Sequence, residues 1–394
     1  MHKKTLQQGN VCVIMTQKKC CAKQKKKAGV NMDMEQKRAR HRRFWQPLQK
    51  GEGAYLSVVA PVSDGQPPYH LRKAESVEEN WLSTQYRLEK AEARMQNTYF
   101  GQDAIQCEFV NFGPGVQAAL LGAPYAITKD SIWFDRQPPI KDWEHPVVFK
   151  TDPEHPLYHA IAEHTRALCE HSKGRYAVSF TDIGGQLDVL YSMRGEELLM
   201  DLLEYPDEVL AAEAQIDREF IEYFNTLQKM IGPTGCGYTN WIPLVHDKPW
   251  YPLQCDMSVM ISPAMFEEFV LPSLAKVAAS IGQAVYHLDG PGEIKHLDMI
   301  LSLPEVHAVQ WVPLPNTKDQ NGRFYQDFAD KESIDVYRKT LAAGKKVVLL
   351  GVRPNQISAI FDAVGCDGVF IETYPGSRSR ADELIDFAAK EWIR

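Results

Sequence analysis

The chain has 394 residues, 44% of them apolar and 24% charged, and a formal net charge of −7. That is ordinary material for a globular protein with one large core. The acidic balance excludes a general affinity for nucleic acid, whose binders gather basic charge on one face, and no apolar run approaches the roughly 18 residues of a membrane span.

The first 33 residues, MHKKTLQQGNVCVIMTQKKCCAKQKKKAGVNMD, are rich in lysine, nearly free of acids and without periodic pattern. Their longest apolar run, residues 11–15, falls short of the roughly 7–15 residues of a signal-peptide core. We read residues 1–33 as a disordered basic tail or a start codon assigned too early, with Met32 or Met34 as the true start. Residues 34–394 read as one domain. Three of the eight cysteines lie in the tail; Cys107, Cys169, Cys236, Cys255 and Cys366 are scattered and form no CxxC pair. Such usage fits reduced thiols and a cytoplasmic protein.

After the tail, EQKRARHRRFWQPLQKGE predicts a short basic helix with Phe44, Trp45 and Leu48 on one face, followed by the strand AYLSVVAPV. Short apolar runs then alternate with helical stretches: CEFVNFG, YAVSFTDIGG, LQCDMSVMIS, AVYHLDG, HAVQWVPLP, KVVLLGVR and GVFIETYPG. Runs apolar nearly throughout suit strands covered on both faces, as in a parallel sheet. Alternation of about eight strand–helix units points to an α/β, single-domain (β/α)8 TIM-type barrel, with an open doubly wound sheet as the second choice. Ser262 is placed to cap a helix that opens on Pro263, and Pro206 opens another. The Pro-rich DRQPPIKDWEHPVVFKTDPEHP reads as a surface excursion. NFGPG, residues 111–115, lacks the Lys-Ser/Thr of a phosphate loop and reads as a close-approach turn.

In a barrel of this kind the carboxyl ends of the strands carry the site. His287 and Asp289 end AVYHLDG two residues apart, so their side chains share a direction. Glu372 ends GVFIETY, Gln310 and Trp311 end HAVQW, Arg353 follows VVLLG and Asp256 follows PLQC. Polar residues at so many carboxyl ends are hard to explain as packing. The competing account of His287 and Asp289 is an Asp-Gly turn with the histidine bonded to backbone, and Asp256 suits a helix cap as well as a general base. Trp241, Trp250, Tyr251 and Trp311 offer walls for a flat apolar ligand, or ordinary core. Arg353 and Arg378 suit carboxylate binding through their planar forks, or surface ion pairs. Cys255 either nears the mouth or is a small buried thiol. His296 and Asp298 are placed on a helix surface.

These segments resemble the uroporphyrinogen decarboxylase superfamily, including its methylcobamide:coenzyme M methyltransferase branch. The resemblance covers nearly all of the chain after the tail and is carried by NFGPGVQAALLG, DSIWF, MRGEELLMDLLEYPDEV, MISPAMFEEFVLPSL, YHLDGPGEIKHLD and VVLLGVRP. It implies an α/β barrel whose mouth takes a tetrapyrrole-sized partner or a methyl-donor system. The decarboxylases carry an arginine-rich RQAGR loop early in the chain; here the neighbourhood reads PVSDGQPPYHLRKAE, without it. The methyltransferases hold zinc with a His-x-Cys pair and a late cysteine, because zinc binds an acceptor thiol as the nucleophilic thiolate. Here the matching positions are His287-x-Asp289 and, at the late cysteine, Glu372 or Thr373. One nitrogen and two carboxylates suit zinc first, and iron(II) or manganese as well.

The expectation is therefore a cytoplasmic methyl-transfer enzyme with a divalent metal on His287, Asp289 and Glu372. Asp256 and His287 would act on the substrate, and Gln310, Trp311, Arg353, Trp250 and Tyr251 would bind a small-molecule or tetrapyrrole ligand. No corrinoid-binding domain is visible in the sequence, so a corrinoid donor implies a separate carrier protein; the family also implies a homodimer. The alternatives are a decarboxylase-like lyase of porphyrin metabolism, and a non-catalytic corrinoid- or tetrapyrrole-binding protein.

Overall fold

The computed structural model describes residues 32–134, 138–145, 147–318 and 320–393. All but the last two residues of the expected basic tail lie outside the described residues. The predicted basic helix forms over Met34–Phe44 and is started by a capping box: Asp33 accepts from the Gln36 N–H, and the Gln36 side chain accepts from that of Asp33. His41, Arg42 and Arg43 occupy its last turn, where cations suit the helix's negative end.

The largest sheet has seven strands. In chain order they are β1 (Tyr55–Pro61), β2 (Thr98–Gln102), β3 (Tyr251–Leu253), β4 (Ala284–Leu288), β5 (Val306–Trp311), β6 (Lys346–Val352) and β7 (Val369–Thr373). Their spatial order is β2-β1-β7-β6-β5-β4-β3, all neighbours parallel except the antiparallel pair β1–β2. CEFVNFG and YAVSFTDIGG give shorter strands than expected, Cys107–Glu108 and Ala177–Val178, which pair in parallel with each other. Ser179, next in the second of these, bridges in parallel to Thr239. LQCDMSVMIS is strand only at its start; Asp256–Met260 turns into a short helix.

Both faces of the sheet are covered, as the continuous apolar runs imply. Tyr55, Val285, Ala308, Val348 and Phe370 face one apolar cluster, closed off by Phe44 and Trp45 of the first helix together with Trp250. Their chain neighbours Leu56, Tyr286, Val309, Leu349 and Ile371 face a larger cluster beneath the outer helices. The register joins Val285 to Ala308, Gln310 to Val348, and Val348 and Tyr55 to Phe370. This two-residue alternation decides which predicted site residues share a face. His287, Gln310 and Glu372 lie two residues beyond Val285, Ala308 and Phe370, on the face that the first helix plugs at its other end. Trp311 and Tyr286 point away from it.

The predicted helix starts hold. Ser262 accepts from the Met265 N–H at 3.2 Å, with Pro263 opening the helix. That helix widens to a π-type turn over Phe266–Val270 before continuing as Leu271–Ile281; Pro272, which has no N–H to donate, accounts for the disturbance. Pro206 opens a 26-residue helix, Pro206–Ile231. A Cβ at Gly113 would lie 2.3 Å from the Ile132 carbonyl oxygen, so NFGPG is a close-approach turn. The Pro-rich excursion is partly tied down, with Ile140 and Phe149 buried. No helix among the described residues is long and apolar enough to cross a membrane.

Candidate metal centre

Asp256, His287 and Asp289 each offer a ligand atom, and those atoms lie within 4.8 Å of one another. They come from the carboxyl ends of two adjacent parallel strands: Asp256 just after β3, His287 within β4 and Asp289 just after it. Two of the three expected ligands, His287 and Asp289, are thus brought together, and the third member is Asp256.

Glu372 is not in this group. It shares the face, but β7 stands three strands from β4, roughly 14 Å along the sheet at about 4.8 Å per strand. Its carboxylate instead accepts from the Tyr374 hydroxyl. Burial holds its carboxyl above the usual range, a rise that the Tyr374 bond and the charge of Arg94 oppose. Tyr374 also walls a separate hollow of about 470 Å³ at the ends of β1 and β7.

The ring of His287 is oriented by its neighbours. Its Nδ1 bonds to Gln310 Oε1 from the paired position on β5. An amide oxygen only accepts, so Nδ1 donates, and in the neutral ring this leaves the lone pair on Nε2. The Trp241 ring lies edge-on at 6.1 Å between centroids. Gln310, expected to bind substrate, thus stands behind the histidine as its orienting partner.

Four acids that sequence reading passed over surround the cluster: Asp182, Glu213 and Glu293 are buried and Asp188 is half-buried. Asp188, in the helix Gln186–Arg194, accepts from the backbone N–H groups of Asp256 and Met257 at 3.0 and 2.8 Å, which fixes the turn that carries Asp256. Burial, then the charge of Asp256, pushes the Asp188 carboxyl up to about 7. Asp182 is likewise pushed up to about 7, and the Tyr251 hydroxyl donates to it at 3.4 Å. Asp256 itself is exposed, yet crowding by the surrounding protein, then the charge of Asp289, raises it to about 6. Glu293 is wholly buried, and neither of its oxygens has a well-aligned donor. Burial, then Asp256 and Asp188, pushes it up to about 9. Glu213, on the 26-residue helix, is raised by burial, Asp217 and Asp188. The signal that could have flagged Asp182 and Asp188 is the Gly184-Gly185 break between them. A Cβ on Gly184 would lie 2.8 Å from the Gly115 Cα, and Gly184 has φ +110°. Two chain segments therefore meet beside the acids.

Carboxylates crowded so that Asp289 raises Asp256, and Asp256 raises Asp182, Asp188 and Glu293, fit a bound cation. An imidazole Nε2 and two carboxylate oxygens make a hard, mixed N/O donor set that suits zinc with an open position, iron(II) or manganese.

The remaining predicted residues lie elsewhere. Trp311 is 1% exposed on the opposite face, where its Nε1 donates to Ser333 Oγ at 2.8 Å. Adjacent residues on a strand point to opposite sides, so Gln310 and Trp311 could not both line one mouth. Trp250 packs against Trp45 at 4.9 Å, at the plugged end. Tyr251 is buried against Phe220 and Phe224 of the long helix, reaching the acids only through its hydroxyl. The Arg353 guanidinium stacks on Tyr325 at 3.8 Å, and Arg378 stacks on Tyr99 and pairs with Asp382. His296 is not on the surface: it is fully buried, stacked on Phe266 at 4.2 Å and bonded to the Ser258 carbonyl. Asp298 is exposed and pairs with Lys339. Cys255 is a buried thiol, held well above its usual pKa first by burial and then by Asp188.

A cleft of about 310 Å³ opens beside Asp256. Its walls include Trp133, Phe134, Tyr191 and Met260, with Asp188 and Asp256 as the charged groups among the described residues.

No family profile matches the chain, and no curated protein matches it. Among solved structures it is similar to a methyltransferase from Methanosarcina mazei, at 13% identity and a TM-score of 0.55, over 90% of this chain and 98% of that one. At that identity the likeness concerns the fold.

Proposed function

We propose that the chain is a metal-dependent methyl-transfer enzyme built on an α/β barrel of the uroporphyrinogen decarboxylase kind, with Asp256, His287 and Asp289 as its metal ligands. The observation that carries this reading is the convergence of three ligand atoms within 4.8 Å at the carboxyl ends of parallel strands, where barrels of this type carry their sites. The fold likeness to a methyltransferase supports the choice of reaction. A divalent ion held there would supply Lewis acidity, making a protic acceptor group nucleophilic near neutral pH.

The chain's own residues have separate tasks. Gln310 holds the proton on His287 Nδ1 and leaves Nε2 toward the centre. Asp188 fixes the turn that presents Asp256. Trp241 packs edge-on against the imidazole and limits its tilt. The methyl donor is a corrinoid on a separate carrier protein. A lyase acting on a polycarboxylate would need cationic anchors, and no lysine or arginine is among the described residues that line the cleft.

Metal analysis of the purified protein tests the reading. One divalent ion per chain, lost in His287→Ala, is expected. Absence of metal from both proteins after incubation with zinc, iron(II) and manganese would refute it.

A further inference from the structure

Gln254 follows β3 directly and stands beside the candidate centre. Pro252 pairs with Val285 and Leu253 with Tyr286, so the next step along the two strands sets Gln254 opposite His287. Leu253 and Tyr286 both belong to the cluster beneath the outer helices, and by alternation Gln254 and His287 share the other face. Gln254 is 6% exposed, yet among the described residues no hydrogen bond holds its side-chain amide. A buried amide without a partner is costly to keep, and native proteins leave few of them. The backbone around it is held closely. A Cβ on Gly185 would lie 2.4 Å from the Gln254 carbonyl oxygen, and two residues further on Asp188 fixes the Asp256 turn. The fold thus positions this amide without using it.

Gln254 also lines the cleft beside Asp256, whose other walls include Trp133, Phe134, Tyr191, Met257 and Met260. Trp133 is 45% exposed, so much of its surface is open to a ligand rather than spent on the core. At about 310 Å³ the cleft is at the small end for a ligand pocket and suits one aromatic ring. No lysine or arginine is among the described residues lining it, so an anion entering would lose its hydration with no cation to offset the cost. That deficit holds whichever protons the neighbouring acids carry. A primary amide presents a donor and an acceptor side by side, which a second amide meets with two hydrogen bonds and an alkyl group with none.

We propose that Gln254 binds the methyl acceptor, and that this acceptor is an uncharged single-ring molecule bearing a carboxamide-like group. The ring packs against the aromatic walls of the cleft. The Gln254 amide donates to the ligand's carbonyl oxygen and accepts from its N–H, while the ligand's protic end faces Asp256, His287 and Asp289. The inference rests on the functional reading above and names the acceptor class that reading leaves open.

The test is calorimetric titration of the full-length protein after incubation with zinc, with metal content measured on the same sample. Three probes share one ring and a hydroxymethyl group as the protic end: 4-(hydroxymethyl)benzamide, 4-(hydroxymethyl)benzoate and 4-methylbenzyl alcohol. The amide is expected to bind about 10-fold more tightly than either of the others. Gln254→Leu is expected to bring the amide down to the level of 4-methylbenzyl alcohol, whose own binding stays unchanged, as does the metal content. Trp133→Leu, which touches no ligand of the metal, is expected to weaken both neutral probes. Equal binding of the amide and 4-methylbenzyl alcohol, preference for the benzoate, or binding of none of the three would overturn the inference. So would equal weakening of both neutral probes by Gln254→Leu, the mark of a merely structural residue, or unchanged binding of both in Trp133→Leu. A protein that holds metal without preferring the amide sinks this inference alone. One that prefers the amide while holding no metal sinks the functional reading alone.

Discussion

Glu293→Gln isolates the electrostatic strain of the acid cluster. In the folded protein the Glu293 carboxyl is pushed from its ordinary 4.5 up to about 9, first by burial and then by Asp256 and Asp188. Between those values the native state keeps a proton that the unfolded chain has released. Stability therefore falls as pH rises through this window, with a slope of about 1.4 kcal/mol per pH unit for one such group. Asp182 and Asp188, pushed up to about 7, and Asp256, to about 6, contribute slopes of the same sign that fade above their own values. Above pH 7.5 Glu213, also raised, and Lys37 and Lys90, lowered to about 8 by burial, contribute as well, so the difference between the two proteins isolates Glu293. Glutamine has nearly the same volume and cannot ionise, so the variant should lose about 1.4 kcal/mol per pH unit of that slope. Urea unfolding of metal-stripped protein, with chelator present, at several pH values from 5.5 to 8.5 measures it. Parallel stability–pH curves for the two proteins above pH 7.5 would refute the placement of Glu293 as a buried, uncompensated acid.

Gln310→Ala should lower metal affinity about 10- to 100-fold, the usual effect of losing a group that orients a ligating histidine. Glu372→Gln, three strands away, should leave that affinity unchanged; competition with a chromophoric chelator reads both. Trp311→Phe should cost about 1 kcal/mol of stability through the lost bond to Ser333, with metal binding as in the parent protein. A denaturant melt beside the metal-binding assay separates these effects.

Local physics made much of this molecule legible in advance. Apolar runs such as KVVLLGV and AVYHL announced strands buried on both faces, and Ser262, Pro263 and Pro206 marked helix starts, because these signals depend on a residue and its near neighbours in the chain. The i, i+2 spacing of His287 and Asp289 placed two side chains on one side of a strand end, and the structure brings both to the candidate centre. Their third companion was beyond sequence reach. Glu372 satisfies the same alternation as His287, yet the strand order β7-β6-β5-β4 sets it far from Asp289, whereas β3 lies next to β4 and delivers Asp256. Parity along a strand is written in the chain, but which strands are neighbours is decided by how the sheet assembles. The same holds for Asp188 and Glu293. Each sits in an unremarkable helical stretch, and each becomes an acidic neighbour of the site only when separate segments pack and remove the water between them. Proximity and desolvation are properties of the assembled fold, and they set the chemistry of this site.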